Sequence, residues 1–423
     1  MDSPIECLPV EVFDIIATSL DLPEYQALRL SSAKLRLLTF STFAKRFFSI
    51  LTTTLGPGSL QRLQHVAIHP HLFQYPSVLD IRLLTHRDYK LLKNISRVGK
   101  FPPPKRFPKV SGVKPEHVTE EAAFYDDVSK NDDLKAIVEP LTLALRGFEK
   151  LRVLRFRTRH TEPRGWQNIA IPLGDQTFRA KCCQAVLDAI VKSEVQLHEF
   201  SLAKSKRSSS LSKCANLGYP FLQFPLHFFR PLQYCFSNLE ILHLSIVSDD
   251  IGAIRTPGWE NGVSNFVAAA PCVKQLALSL DRSNRVSNYS AAVLHSLALT
   301  CRLPELNSLH LVNCAAHEKD VVQLICAHSG SLQHVTFSEL RLLSGIWSSI
   351  WLALKTVINL RNVRLSSLAG PKSPVLFRRR DQERLNVTLD TSKAQQTMSD
   401  LLDSLLTACE IGIEHHLAEV ATA

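Results

Sequence analysis

Residues 306–337 read LNSLHLVNCAAHEKDVVQLICAHSGSLQHVTF, and the reading of this stretch decides the fold. It opens with Leu306-Asn-Ser-Leu309-His-Leu311 and closes with Leu332-Gln-His-Val335-Thr-Phe337. Each string alternates apolar and polar residues at its end, as a half-buried strand does. Between them Val321, Val322, Leu324 and Ile325 recur at helical spacing behind an acidic first turn at Glu318 and Asp320. One strand and one helix cannot bury their own apolar faces, so copies of the unit must stack.

Working outward, the string returns as Leu151-Arg-Val-Leu154-Arg-Phe156, Leu197-His-Glu-Phe200-Ser-Leu202, Leu239-Glu-Ile-Leu242-His-Leu244, Val273-Lys-Gln-Leu276-Ala-Leu278 and Leu360-Arg-Asn-Val363-Arg-Leu365. The starts of the seven copies are 46, 42, 34, 33, 26 and 28 residues apart. The later intervals approach the roughly 20–29 residues of leucine-rich repeats, and the earlier ones must carry insertions. Further helical faces are read at Val293, Leu294, Leu297 and Leu299, and at Ile346, Trp347, Ile350, Trp351 and Leu354. Strands alternating with helices predict an α/β chain with parallel strands wound into an irregular solenoid. Asn313 alone stands near the place of a repeat asparagine. A non-repeat α/β domain accounts for single strings but not for seven of them paired with helices. The residues between the strand leucines, Arg155, Arg157, His243, Ser245, His310, Thr336 and Arg364, are expected on the concave face as target-binding candidates. Such a face is polar and mildly basic, which suits an acidic or phosphorylated protein target.

The first fifty residues read differently. Leu8-Pro9-Val10-Glu11 opens a helix carrying Val12, Ile15, Ile16 and Leu20. Asp21-Leu22-Pro23-Glu24 opens a second with Leu28 and Leu30, and Ser31 and Ser32 offer caps for a third with Leu35 and Leu38. A bundle of about forty residues rarely supplies more than a few kcal/mol of stability alone, so it calls for a partner surface or the following domain.

This stretch, LPVEVFDIIATSLDLPEYQALRLSSAKLRLL, resembles the F-box, and the chain as a whole resembles fungal F-box proteins with degenerate leucine-rich repeats. The segments SLQRLQHVAIHPHL and SELRLLSGIWSSIWLAL share that resemblance. It implies that Leu8, Pro9, Val12, Ile15, Ile16, Leu20, Leu28, Leu30 and Leu35 face a Skp-type adaptor, and through it a cullin–RING ubiquitin ligase. Ser31-Ser32 stands where the family often has Val-Cys, and the frequent late Trp is missing, with Leu38 or Phe40 nearby.

The remaining segments complete the expected organisation: an F-box over residues 1–50, a linker over 51–140, the repeats over 141–380, and a C-terminal cap or tail over 381–423. Residues 43–85 read as helical, with His65 and His69 structural. Residues 99–118, with Pro102, Pro103, Pro104, Pro108 and Pro115, read as an extended loop. The basic, serine-rich residues 203–213 read as an insertion loop, and Arg378–Arg384 as the end of the array. Residues 395–417 read as an amphipathic helix through Met398, Leu401, Leu402, Leu405 and Leu406 that covers the last repeat.

Composition agrees with a folded chain: 423 residues, 45% hydrophobic and 21% charged. The net charge of +10 is scattered, which favours a solvated basic surface over a nucleic-acid footprint. Ten cysteines without a CxxC pair suggest free thiols in a reducing compartment, with Cys182, Cys183 and Cys326 as small hydrophobes. Neither a signal peptide nor a spanning segment is read, so cytoplasm or nucleus is expected. No nucleotide-binding, hydrolase or zinc-protease motif occurs. Cys314, His317, Cys326 and His328 match no common zinc spacing. No cofactor, metal, nucleic acid or membrane is expected. The leading expectation is a non-catalytic substrate receptor of a Skp–cullin–F-box ligase. An interaction scaffold outside any ligase, and a hydrolase or transferase with a converging polar pocket, stand as alternatives.

Overall fold

The computed structural model describes residues 5, 8–83, 115–130, 134–158, 173–202, 217–218, 222–247, 258–280, 289–371, 373–379, 382–391 and 397–406. The expected loop at 203–213 lies outside them, as do residues 407–417 of the expected C-terminal helix.

Four helices come first: α1 (Val10–Ser19), α2 (Leu22–Ser31), α3 (Ala33–Leu38) and α4 (Phe40–Phe48). Pro9 is the N-cap of α1 rather than its first residue. Asp21 and Glu24 close a reciprocal capping box on α2, and the Ser32 hydroxyl accepts the Lys34 and Leu35 amides at the start of α3. The bundle core is small: Phe13, Ala17, Tyr25 and Leu35, with Leu8, Leu20, Leu28, Leu38, Phe43 and Phe47 half-buried around it. Arg46 of α4 donates to the Ala17 and Thr18 carbonyls at the end of α1, at 3.1 and 2.9 Å. The Thr42 hydroxyl meets the Asp14 carboxylate.

The rest is an eleven-stranded sheet with helices between its strands, and a separate two-stranded sheet. In chain order the elements are β1 (Ile50–Thr53), α5 (Pro57–Ile68), β2 (Val78–Leu83), α6 (Pro115–Lys130), α7 (Lys135–Gly147), β3 (Val153–Thr158), α8 (Leu173–Ser193), β4 (Glu199–Ser201), β5 (Leu217–Gly218), α9 (Leu226–Cys235) and β6 (Ile241–Val247). There follow α10 (Asn261–Ala268), β7 (Gln275–Leu280), α11 (Tyr289–Thr300), β8 (Ser308–His317), α12 (Glu318–Ala327), β9 (His334–Ser344), α13 (Trp347–Lys355), β10 (Asn362–Ser366), the hairpin β11 (Phe377–Arg379) and β12 (Gln382–Arg384), and β13 (Asn386–Asp390). A last helix, α14, covers residues 398–406.

The strands lie side by side in chain order, β1-β2-β3-β4-β6-β7-β8-β9-β10-β13, with β5 against the end of β6. All pairs in this sheet are parallel except β10 with β13. Strand order that never reverses, with crossovers of one hand, puts the helices on one face. The apolar strand residues Leu79, Leu154, Phe200, Leu242, Leu276, Leu309, Val335 and Val363 point into that helical side and are buried. Phe200 stacks there against Phe156, Phe236 and Phe266, with centroids 5.7–5.8 Å apart.

All seven strings form strands of this sheet. Several expectations change. Residues 43–85 are not wholly helical, because β1 and β2 extend the same sheet. Their strings, Phe48-Ser-Ile-Leu51-Thr-Thr53 and Pro76-Ser-Val-Leu79-Asp-Ile81, escape a leucine search because Phe48, Pro76 and Thr53 replace leucines. The backbone joins them in one pattern: Ser49 and Ser77 carbonyls each accept two amides of the next strand, as Arg152, His198, Glu240, Lys274, Asn307 and Gln333 do. Pro115 opens α6 instead of prolonging a loop, which suits its missing amide. The sheet continues past Arg378–Arg384, because β13 returns antiparallel on β10. Ile346 caps α13 and is exposed, and Leu299 faces outward, two residues from Leu297 on the turn of a helix. Cys182 and Cys183 are buried, but Cys326 is exposed. Met398, Leu402 and Leu405 of α14 join the core, and Asp403 pairs with Lys355 of α13 at 2.6 Å.

Candidate functional site

Two surfaces among the described residues bear on function. The first is on the N-terminal bundle. Val12, Ile15 and Ile16 lie on one face of α1 at spacing three and four, and all are exposed, Ile15 to 72%. Leu30 is 87% exposed at the end of α2. Pro9 is exposed as well. Of the other residues expected to face an adaptor, Leu35 is buried in the bundle core, and Leu8, Leu20 and Leu28 are half-buried against it. These four hold the helices together. Two exposed leucines went unread in the sequence, Leu22 and Leu37. Helical spacing was a signal for them, but such a short helix leaves its outer face undecided until its neighbours are placed.

The second surface is the sheet face turned away from the helices. Strand register aligns one row across it: Thr52, Asp80, Arg155, Ser201, His243, Ala277, His310, Thr336, Arg364 and Thr388. Five of the seven expected contact residues therefore share a single row. Arg157 and Ser245 lie two residues further along their strands on the same face, but Ser245 is 1% exposed and offers no surface.

Charge on this face is uneven. Arg155 donates from Nε and Nη2 to the two carboxylate oxygens of Glu199, at 2.8 and 2.9 Å. Arg157 reaches the Asp80 carboxylate at 3.0 Å. The hydrogen bond to Glu199 holds the Arg155 guanidinium even more firmly protonated than usual. Burial raises the Asp80 carboxyl, against the pull of Arg157 and Arg155. Two acids thus neutralise two arginines at the β2–β4 end, so this end is not basic as expected. Sequence reasoning missed Asp80 and Glu199, which come from strands 44 residues and more away.

Further along, His243 Nδ1 lies 3.2 Å from the Ser201 hydroxyl, and His310 Nε2 lies 2.8 Å from the Ser308 hydroxyl. Burial, and then His243, Arg364 and His334, lower the His310 imidazole to about 4. Arg364 is exposed. At the paired positions of β6 to β10 on this face, the described side chains include no carboxylate.

The histidines near residue 320 have other partners. His328 Nδ1 bonds the Leu324 carbonyl and Nε2 accepts the Leu303 amide, while His317 meets Ser344. No group of three metal-ligating side chains occurs among the described residues. A hollow of about 510 Å3 between α8 and α9 is lined by Val191, Glu194, Arg230, Pro231 and Tyr234, away from the sheet row. No helix among the described residues is long and apolar enough to cross a membrane. No family model matches the chain, and no curated protein matches it.

Proposed function

We propose that the chain is a substrate receptor of a Skp–cullin–F-box ubiquitin ligase, with α1–α3 as the F-box and the sheet as an irregular leucine-rich-repeat solenoid. The observation that carries this reading is the exposed apolar set Val12, Ile15, Ile16, Leu22, Leu30 and Leu37 on a bundle whose buried hydrophobic residues, among those described, are Phe13, Ala17, Tyr25, Leu35 and Ala44. Each such side chain contributes about 1.5–3 kcal/mol when a partner covers it. A bundle this small gains from such cover. The sequence resemblance assigns the cover to a Skp-type adaptor. The receptor performs no chemistry itself. It holds a target beside the ubiquitin-charged subunit and raises the effective concentration of the target lysine.

The test is co-expression with a Skp-type adaptor, followed by size-exclusion chromatography. Wild type is expected to elute as a stoichiometric complex, and the double variant Ile15→Asp, Leu30→Asp as a folded free chain. Both side chains are solvent-facing, so the variant leaves the bundle core intact. A folded wild-type chain that never binds the adaptor sinks the ligase reading and leaves an interaction scaffold.

A further inference from the structure

The sheet ends at β13, and no described strand pairs with its outer edge. The hydrogen bonds to β10 fix which groups that edge offers. Ser367 donates to the Leu385 carbonyl at 2.9 Å and Thr391 to the Arg361 carbonyl at 3.1 Å, so in this antiparallel register the odd-numbered residues of β13 bond β10. The N–H and C=O of Asn386 and Thr388 therefore turn outward, and both residues are exposed. Asn386 and Thr388 lie on the helix-free face with Arg364, whereas Val387 and Leu389 are half-buried on the helical side. An edge of this kind is a template for another strand.

We propose that a second copy of this chain covers the edge, β13 pairing antiparallel with its own counterpart about a two-fold axis at Thr388. The strand is complementary to itself in that register. On the helix-free face Thr388 meets Thr388 of the second copy, and Asn386 stands across from Asp390 of the second copy, an amide donor against a carboxylate. On the helical side Val387 stands across from Leu389 of the second copy, so two half-buried apolar pairs cover each other. No like charges meet. The axis makes the contact isologous and closed, which ends growth at two copies. It joins the two eleven-stranded sheets into one, with their helix-free faces on the same side.

The order of residues singles out this occupant. Asn386-Val-Thr388-Leu-Asp390 reads polar, apolar, Thr, apolar, polar in both directions. A strand from another protein can add to an open edge, but its addition does not require that symmetry. On its own a five-residue pairing buries less than the about 1,200 Å2 of a standard interface, so the dimer is expected to dissociate in the range of about 1–100 µM. The pairing involves neither the N-terminal bundle nor a target, so it stands apart from the receptor reading.

Sedimentation velocity with the full-length chain, from about 1 to 200 µM, tests this. Wild type is expected to pass from monomer to dimer across that range. Asn386→Asp keeps the oxygen that accepts the Ser366 hydroxyl but sets a carboxylate across from Asp390 at both ends of the contact. It should raise the dissociation constant about tenfold, and Asn386→Lys, which sets opposite charges there, should lower it by a similar factor. Thr388→Pro removes an outward amide that β10 does not use, a change edge strands tolerate, and should leave a monomer with unchanged far-ultraviolet circular dichroism. If the proline chain misfolds, the two Asn386 variants decide. A wild-type chain that stays monomeric throughout leaves the edge to a strand of another protein and overturns the proposal. So does a dimer whose dissociation constant neither Asn386 variant moves, because its contact then lies elsewhere.

Discussion

At Arg155 and Glu199 a fork-to-fork ion pair sits where a strand face normally meets solvent. The two side chains are 16% and 7% exposed, so neither charge has water enough to stand alone. Removing one partner leaves the other buried and uncompensated, which costs about 3 kcal/mol. Glu199→Ala should therefore lower the denaturant midpoint markedly, and Glu199→Leu with Arg155→Met should recover most of the loss. A Glu199→Ala chain as stable as wild type contradicts this account. Sequence alternation placed Arg155 on the polar face but could not supply its partner. Pairing is a matter of register between strands 44 residues apart in sequence, and local pattern is silent on that.

The strands carry a second regularity, within them or just past their ends. Leu55, Asn313, Glu339 and Ser367 adopt positive φ, between 51 and 66°, and each stands seven residues after the start of its string. In β8 and β9 the pairing runs Val312 with Ser338, then Cys314 with Leu340, passing over this position in both strands together. Only Asn among the four is a residue that favours this backbone region, so the kink was not legible in the sequence. The stacked neighbour imposes it. Gly345, at the exit of β9, is different: its φ is +86°, and an added Cβ would meet the Glu318 side chain. Glu318 in turn accepts the Ile346 amide at 2.8 Å, tying the start of α12 to the start of α13. Gly345→Ala should cost on the order of 1–2 kcal/mol, read as a lower melting temperature without change in secondary structure.

The whole molecule has a pH dependence that follows from its buried imidazoles. Burial lowers His328, whose Nε2 must stay unprotonated to accept the Leu303 amide. His310 is lowered to about 4 by the same cause first. An unfolded histidine titrates near about 6.5, so on acidification the unfolded chain takes up these protons first. Their contribution is complete above the unfolded value and is lost as pH falls from there through the folded one. Asp80 acts in the opposite sense: its raised folded value makes its share grow as pH falls toward the unfolded carboxylate value. Two imidazoles against one carboxyl predict a net loss. Denaturant midpoints measured from pH 7.5 down to 4.5 should decline, and less so in His310→Gln. A flat profile in wild type rejects the assignment.

By itself the sequence determined the elements that repeat an apolar pattern: seven strands, the helices between them, and hence a largely parallel α/β sheet. Burial is periodic in strands and helices, and periodicity is local information. It also marked Ile15 and Leu30 as apolar residues on short helices, without saying which faces stay uncovered. Only the tertiary structure decided that β1 and β2 belong to the same sheet, since Phe48, Pro76 and Thr53 hide their strings and only hydrogen bonds to neighbouring strands reveal them. It decided that Leu8, Leu20, Leu28 and Leu35 serve the bundle core while Val12, Ile15, Ile16 and Leu30 face outward. It also neutralised Arg155 and Arg157 by bringing Glu199 and Asp80 against them. Each of these depends on which residues become neighbours across the chain, and that is fixed by packing rather than by any local stretch.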